Sequence, residues 1–100
     1  MKIVAVTSCP TGIAHTYMAA AQLEKTAKKL GHTIKVETQG SMGIENELSE
    51  SDIKGAGAAI FAAELPVRNK ERFDGLKIIE VSVQDAIKKP DAIFAKLGQP

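Results

Sequence analysis

The chain has 100 residues, 44% of them apolar and 25% charged, with a formal net charge of +1 and one cysteine. That length supports a single core, in a composition ordinary for a soluble globular protein, and the small net charge provides no field to draw nucleic acid or an acidic lipid surface. One cysteine excludes an intrachain disulfide scaffold and fits a reducing cytosol, and no run of about 18 apolar residues is present to span a bilayer. The opening "MKIVAVTSCP" carries one lysine and too short an apolar run for a secretory signal.

Ile3-Val4-Ala5-Val6 is a continuous apolar run ending in Thr-Ser-Cys-Pro, the pattern of a strand buried on both faces. The period then changes. Ile13, Thr16, Ala20, Leu23, Ala27 and Leu30 recur at spacings of three and four, with Gln22, Glu24, Lys25, Lys28 and Lys29 opposite, and Gly31 follows as a stop. Residues 33–38 alternate, Ile34 and Val36 against Lys35 and Glu37, which predicts an edge strand with one wet face carrying Glu37 and Gln39. His32, just before it, is expected to be exposed. "QGSMG" reads as a turn, and Ser49-Glu50-Ser51-Asp52 as a capping box opening a short helix that ends near Gly55.

Ala58-Ala59-Ile60-Phe61-Ala62-Ala63 predicts a second central strand, and "ELPVRNKERFDG" a polar connection with room for a short helix. Lys77-Ile78-Ile79-Glu80-Val81 predicts a fourth strand. Ser82 to Asp85 repeats the capping pattern, and Pro90 suits the first turn of a last helix. The fold class is therefore α/β: one domain over residues 1–100, an open four-stranded parallel sheet in the order 2-1-3-4, and helices on both faces in a Rossmann-like three-layer sandwich.

In that order the connections reverse between strands 1 and 3, where open α/β sheets bind ligands outside the carboxyl ends of their strands. Cys9 follows strand 1, and Glu64, Arg68 and Arg72 follow strand 3. A free thiol ionises near pH ~8.5, and a helix N-terminus lowers that value. The loop Thr11-Gly12-Ile13-Ala14-His15-Thr16 leads into the first helix, whose first-turn amides lack intrahelical acceptors and can face an anion. Pro10 shapes the turn without offering an N–H, and Gly12 permits conformations closed to other residues. From the residues alone two readings stand: a small buried hydrophobe, or a thiolate that accepts a phosphoryl group held by the loop. His15 is either a helix-start residue or a donor to the developing charge. Charged residues in the later loop are expected to stay solvated.

"CPTGIAHTYMAA" from Cys9, "IKVETQGSMGIENELSESDI" from Ile34, "RFDG" from Arg72 and "VQDAIKKP" from Val83 are arranged as in one known family. The chain resembles the fructose-type IIB domain or subunit of the bacterial phosphoenolpyruvate-dependent sugar phosphotransferase system. The resemblance implies a relay: a IIA partner carries phosphate on a histidine and passes it to Cys9. The phosphocysteine then passes it to a sugar bound by the membrane transporter IIC, with fructose expected and mannose or a related sugar as the alternative. It implies a phosphate-binding loop of Pro10, Thr11, Gly12, Ile13, Ala14, His15 and Thr16, with no cofactor and no metal. It also implies a cytoplasmic protein held at the inner membrane face through IIC, with no nucleic-acid partner. The 100 residues contain no IIA or IIC segment, so a separate subunit and a piece of a longer polypeptide both fit. Glu64 replaces an aspartate common in relatives, Pro66 stiffens that loop, and Leu76 stands where lysine is common; these bear on docking, not on Cys9.

The rival enzyme class is a cysteine-dependent phosphatase, which needs Cys-x5-Arg. Here the sixth residue after Cys9 is His15, and no arginine occurs before Arg68. A thioredoxin-like role lacks the second cysteine, and no G-x-G-x-x-G follows a strand to bind a dinucleotide.

Overall fold

In the computed structural model, which describes residues 2–8, 13–40, 43–64 and 66–97 (Ile13 by its backbone alone), the first apolar run becomes β1 (Lys2–Ser8), buried at every residue after Lys2. β1 pairs in parallel with β2 (Thr33–Gly40) on one side and β4 (Ala58–Ala63) on the other, and β5 (Lys77–Val81) extends the sheet beyond β4. Alternate residues of β1 and β4 enter cores on opposite faces of the sheet, which is why both strands read as unbroken apolar runs. The four parallel strands follow the expected 2-1-3-4 order.

Among the described residues the sheet nevertheless has five strands, with a short β3 (Gly43–Glu45) at one edge, in the order β3-β2-β1-β4-β5. β3 (Gly43–Glu45) folds back antiparallel on β2, with Gly40 opposite Gly43 and Thr38 opposite Glu45. Three residues are too few to show a period of two, so only a turn is legible at this place. The consequence is large for β2. Its carboxyl half is interior, and residues 36–39 are all buried. Glu37 and Gln39, expected to decorate a wet edge, are 0% and 2% exposed.

Residue alternation divides the core between the two faces of the sheet. Ile3, Ala5, Val36, Ile60 and Ala62 face α1 (Ile13–Lys29), α3 (Val83–Lys88) and α4 (Pro90–Leu97). Val4, Val6, Ala59 and Phe61 face Leu48, Val67, α2 (Glu50–Lys54) through Ile53, and a 3₁₀ turn (Lys70–Phe73) through Phe73. Phe73 meets Phe61 edge-on with ring centroids 5.0 Å apart. The 3₁₀ turn is the short helix expected in that connection.

On α1 the expected face is realised by Thr16, Ala20, Leu23 and Ala27, all buried. Leu30 departs from it, being exposed and beyond the helix end. The helix closes in a Schellman motif: Gly31, at φ +81°, donates to the Lys28 carbonyl, and His32 donates to that of Ala27 at 2.8 Å. His32, expected to be exposed, is half-buried and stacks on Phe94. Pro90 opens α4 as expected, and Ser82 Oγ accepts from the Asp85 amide at the start of α3.

The capping box of α2 is complete: Ser49 Oγ accepts from the Asp52 amide at 3.1 Å, and Asp52 Oδ2 accepts from the Ser49 amide at 2.9 Å. Lys35 Nζ donates to the same carboxylate oxygen at 2.8 Å, and Lys35 together with Ser49 holds the Asp52 carboxyl well below the usual carboxylate range. Replacing Ser49 with alanine should cost about 1 kcal/mol, a fall of roughly 4–8 °C in Tm for a domain of this size by calorimetry. An unchanged Tm would show that α2 is held by Ile53 packing alone.

Candidate active site

The candidate nucleophile Cys9, with Pro10, Thr11 and Gly12, lies outside the described residues, but both flanks are described. β1 ends at Ser8 and α1 begins at Ile13. The two elements are tied at this end, because the buried Thr7 Oγ1 donates to the Thr16 carbonyl at 3.2 Å. Ala14 and His15, on the first turn of α1, are exposed, whereas Thr16 is buried. The α1 amides at that turn point toward the carboxyl edge of the sheet with no acceptor in the helix, and the helix dipole adds partial positive charge there.

The rest of that edge is built around Ser8. Ser8 lies in register with Gln39 of β2 and Ala63 of β4, and its carbonyl accepts the Glu64 amide at 3.0 Å. The segment after β4 therefore starts its course at the end of β1. Glu37 and Gln39 are opposite Val6 and Ser8, so they share the Val4–Val6 face of the sheet.

Burial of a charge requires a full set of partners, and Glu37 has one. Its Oε1 accepts from the Leu48 amide at 2.9 Å and Arg72 Nη1 at 3.0 Å; its Oε2 accepts from Arg72 Nη2 at 3.0 Å and Gln39 Nε2 at 2.6 Å. Burial pushes the Glu37 carboxyl up, but the hydrogen bonds from Arg72, Gln39 and Leu48 outweigh it and leave the group below its ordinary value. The same hydrogen bonding raises Arg72 further. Arg72 also donates through Nε to the Asn69 carbonyl at 2.9 Å. Asn69 is left-handed at φ +57°, a conformation asparagine tolerates, and both its carbonyl and that of Arg68 are bonded by the guanidinium.

Gln39 completes the network. Its Oε1 accepts from the Arg68 amide at 2.9 Å, and its Nε2 donates to the Arg68 carbonyl at 3.2 Å. Both main-chain groups of one loop residue are thus held by a buried amide. Two further ties close the rim: the Tyr17 hydroxyl donates to the Glu45 carboxylate, joining α1 to β3, and Glu64 Oε1 accepts from the Val83 amide at 2.9 Å. Among the described residues no group of three or more His, Cys, Asp or Glu could hold a metal ion, and no helix is long and apolar enough to cross a membrane.

Glu37, Gln39 and Arg72, expected in solvent, come together at the edge where Cys9 follows β1 in the chain. The available signal was two acceptor-bearing side chains at i and i+2 on one face of a strand, at its carboxyl end.

The family model described as "PTS system, Lactose/Cellobiose specific IIB subunit" matches residues 4–96. The chain belongs to the IIB family of the sugar phosphotransferase system. It is 50% identical over 96 residues to the "PTS system fructose-like EIIB component 2" of Escherichia coli (strain K12), covering 96% of this chain and 91% of that one. It is also 50% identical over 95 residues to the "PTS system fructose-specific EIIABC component" of Bacillus subtilis, covering 95% of this chain and 15% of that larger polypeptide. A crystal structure of a domain from the fructose-specific IIABC component of Borrelia burgdorferi superposes with a TM-score of 0.91 at 47% identity, over 95% of this chain and 90% of that one. As a IIB component the chain is a phosphotransferase subunit of the sugar relay, and relatives of the IIB chain occur fused to A and C components.

Proposed function

We propose that the IIB chain, one phosphocarrier domain over residues 1–100, carries the phosphoryl group of a fructose-type relay on Cys9. A phosphohistidine on IIA is the donor, and a sugar hydroxyl bound by membrane IIC is the acceptor. In the first step the Cys9 thiolate attacks phosphorus, the sulfur–phosphorus bond forms as the phosphorus–nitrogen bond breaks, and the imidazole leaves. In the second the sugar oxygen attacks, the sulfur–phosphorus bond breaks, and the thiolate is restored as the hydroxyl proton passes to solvent water. Pro10, Thr11, Gly12, Ile13, Ala14, His15 and Thr16 form the loop around the phosphate, with backbone amides as the main donors. The chain works in the cytoplasm, at the inner membrane face beside IIC. Fructose is the proposed sugar on the names of the relatives.

The observation that carries this reading is the frame on either side of the thiol. A central parallel strand ends at Ser8 and a 17-residue helix begins at Ile13, tied together by Thr7 and Thr16 at the switch point of the sheet. That arrangement suits a loop whose anion faces a helix N-terminus. Intact mass after incubation with a phosphorylated IIA domain, for which the IIA portion of the Bacillus subtilis relative serves as donor, should show one added phosphate, removable by thiol-directed reagents. No mass gain from a donor of proven phosphorylation would refute the reading.

A further inference from the structure

The Glu37–Arg72–Gln39 network ends on an exposed loop, and that is unusual use of a buried ion pair. Its last member, Gln39, grips the amide and carbonyl of Arg68, and Arg72 Nη2 reaches the same carbonyl at 3.4 Å. Arg68 is therefore held through both its main-chain amide and its carbonyl. Its own side chain takes no part. The residue is exposed, and its guanidinium has no hydrogen bond or ion pair among the described residues. The acids Glu64 and Glu45 on the same edge are engaged internally, with the Val83 amide and the Tyr17 hydroxyl. A cation is thus carried on a main chain held at Gln39, in register with Ser8 at the carboxyl end of β1.

We propose that Arg68 is a fixed electrostatic docking point for the phosphorylated face of the IIA donor. The inference rests on the phosphocysteine reading above and adds the chemistry by which the donor is received. A phosphohistidine presents a dianionic phosphoryl group at the centre of its contact surface. A cation at the rim of the receiving site raises the encounter rate through long-range attraction, and does so without the ordering cost of a mobile loop. The anchoring network holds the main chain that carries that charge in place between encounters.

The test is steady-state phosphoryl transfer to the full chain from the phosphorylated IIA domain of the Bacillus subtilis relative, comparing wild type with Arg68→Met and Arg68→Glu. Among the described residues the Arg68 side chain makes no hydrogen bond or ion pair, so both variants should keep the wild-type Tm. Charge reversal should lower kcat/KM about tenfold at low salt, entirely through a higher KM, with Arg68→Met intermediate. The difference should shrink as salt shortens the screening length to about 3 Å near 1 M. Equal KM values, a loss confined to kcat at saturating donor, or a KM change indifferent to salt would each overturn the proposal. A wild-type chain that accepts no phosphate at all would instead overturn the phosphocysteine reading, so the two failures are distinguishable.

Discussion

Replacing Cys9 with serine should abolish phosphoryl transfer while leaving the IIB domain folded. Serine is nearly isosteric, but its hydroxyl is far less ionised than a thiol at neutral pH, and it is a weaker nucleophile without an adjacent base. Loss of a covalent nucleophile costs on the order of 10⁴-fold or more, so mass spectrometry should find no phosphate on the variant under conditions that label the wild type fully. Thermal unfolding should change by less than about 1 kcal/mol, as for a substitution that alters neither volume nor charge pairing. A Cys9→Ser chain that still passes phosphate from IIA to sugar would remove Cys9 from the mechanism. The same wild-type preparation should hydrolyse p-nitrophenyl phosphate negligibly, because a relay must keep water from its thiophosphate and the chain lacks the Cys-x5-Arg of a phosphatase. Robust Cys9-dependent hydrolysis would assign it to the phosphatases.

The second large effect is on stability. Arg72→Met should destabilise the domain by on the order of 3–5 kcal/mol, because it leaves the fully buried Glu37 carboxylate without its ionic partner. Tm should fall by more than about 10 °C for a domain of this size. The pH dependence gives the sharper signature. In the wild type the Glu37 pKa is lowered by folding, so its contribution is present above the ordinary carboxylate range and is lost as pH falls through the folded value. In Arg72→Met burial acts with less opposition and favours the protonated acid. The stabilising contribution of that carboxylate above the ordinary carboxylate range is then diminished. Denaturant unfolding between pH 3 and pH 7 should therefore show the gap between variant and wild type widening with pH. A constant gap would mean that Arg72 acts through packing against Phe73, over whose ring it sits at 5.0 Å. Glu37→Gln separates the two terms, since it removes the charge and keeps the shape.

Much of the architecture was legible because it rests on local patterns. Unbroken apolar runs at β1 and β4, a period of 3.6 through α1, serine caps at α2 and α3, and Pro90 before α4 each follow from short-range sterics and hydrogen bonding. The order 2-1-3-4 followed from which strands were apolar on both faces. The resemblance at "CPTGIAHTYMAA" added the chemistry, and it also took in "IKVETQG" and "RFDG" without giving their residues a role.

The sequence by itself thus determined the α/β class, the central strands and the positions of the helices, which depend on neighbours a few residues apart, and the family, through motifs spread along the chain. Only the tertiary structure decided the surroundings of β2. Once β3 covers its carboxyl half and the segment after β4 crosses the face, the alternating Lys35–Glu37 pattern no longer means a wet edge. Glu37 and Arg72 are 35 positions apart and Gln39 and Arg68 are 29. No propensity or period links residues at such separations. Whether a charged side chain is solvated or buried depends on what the chain brings across it, and here that was a guanidinium with complementary geometry.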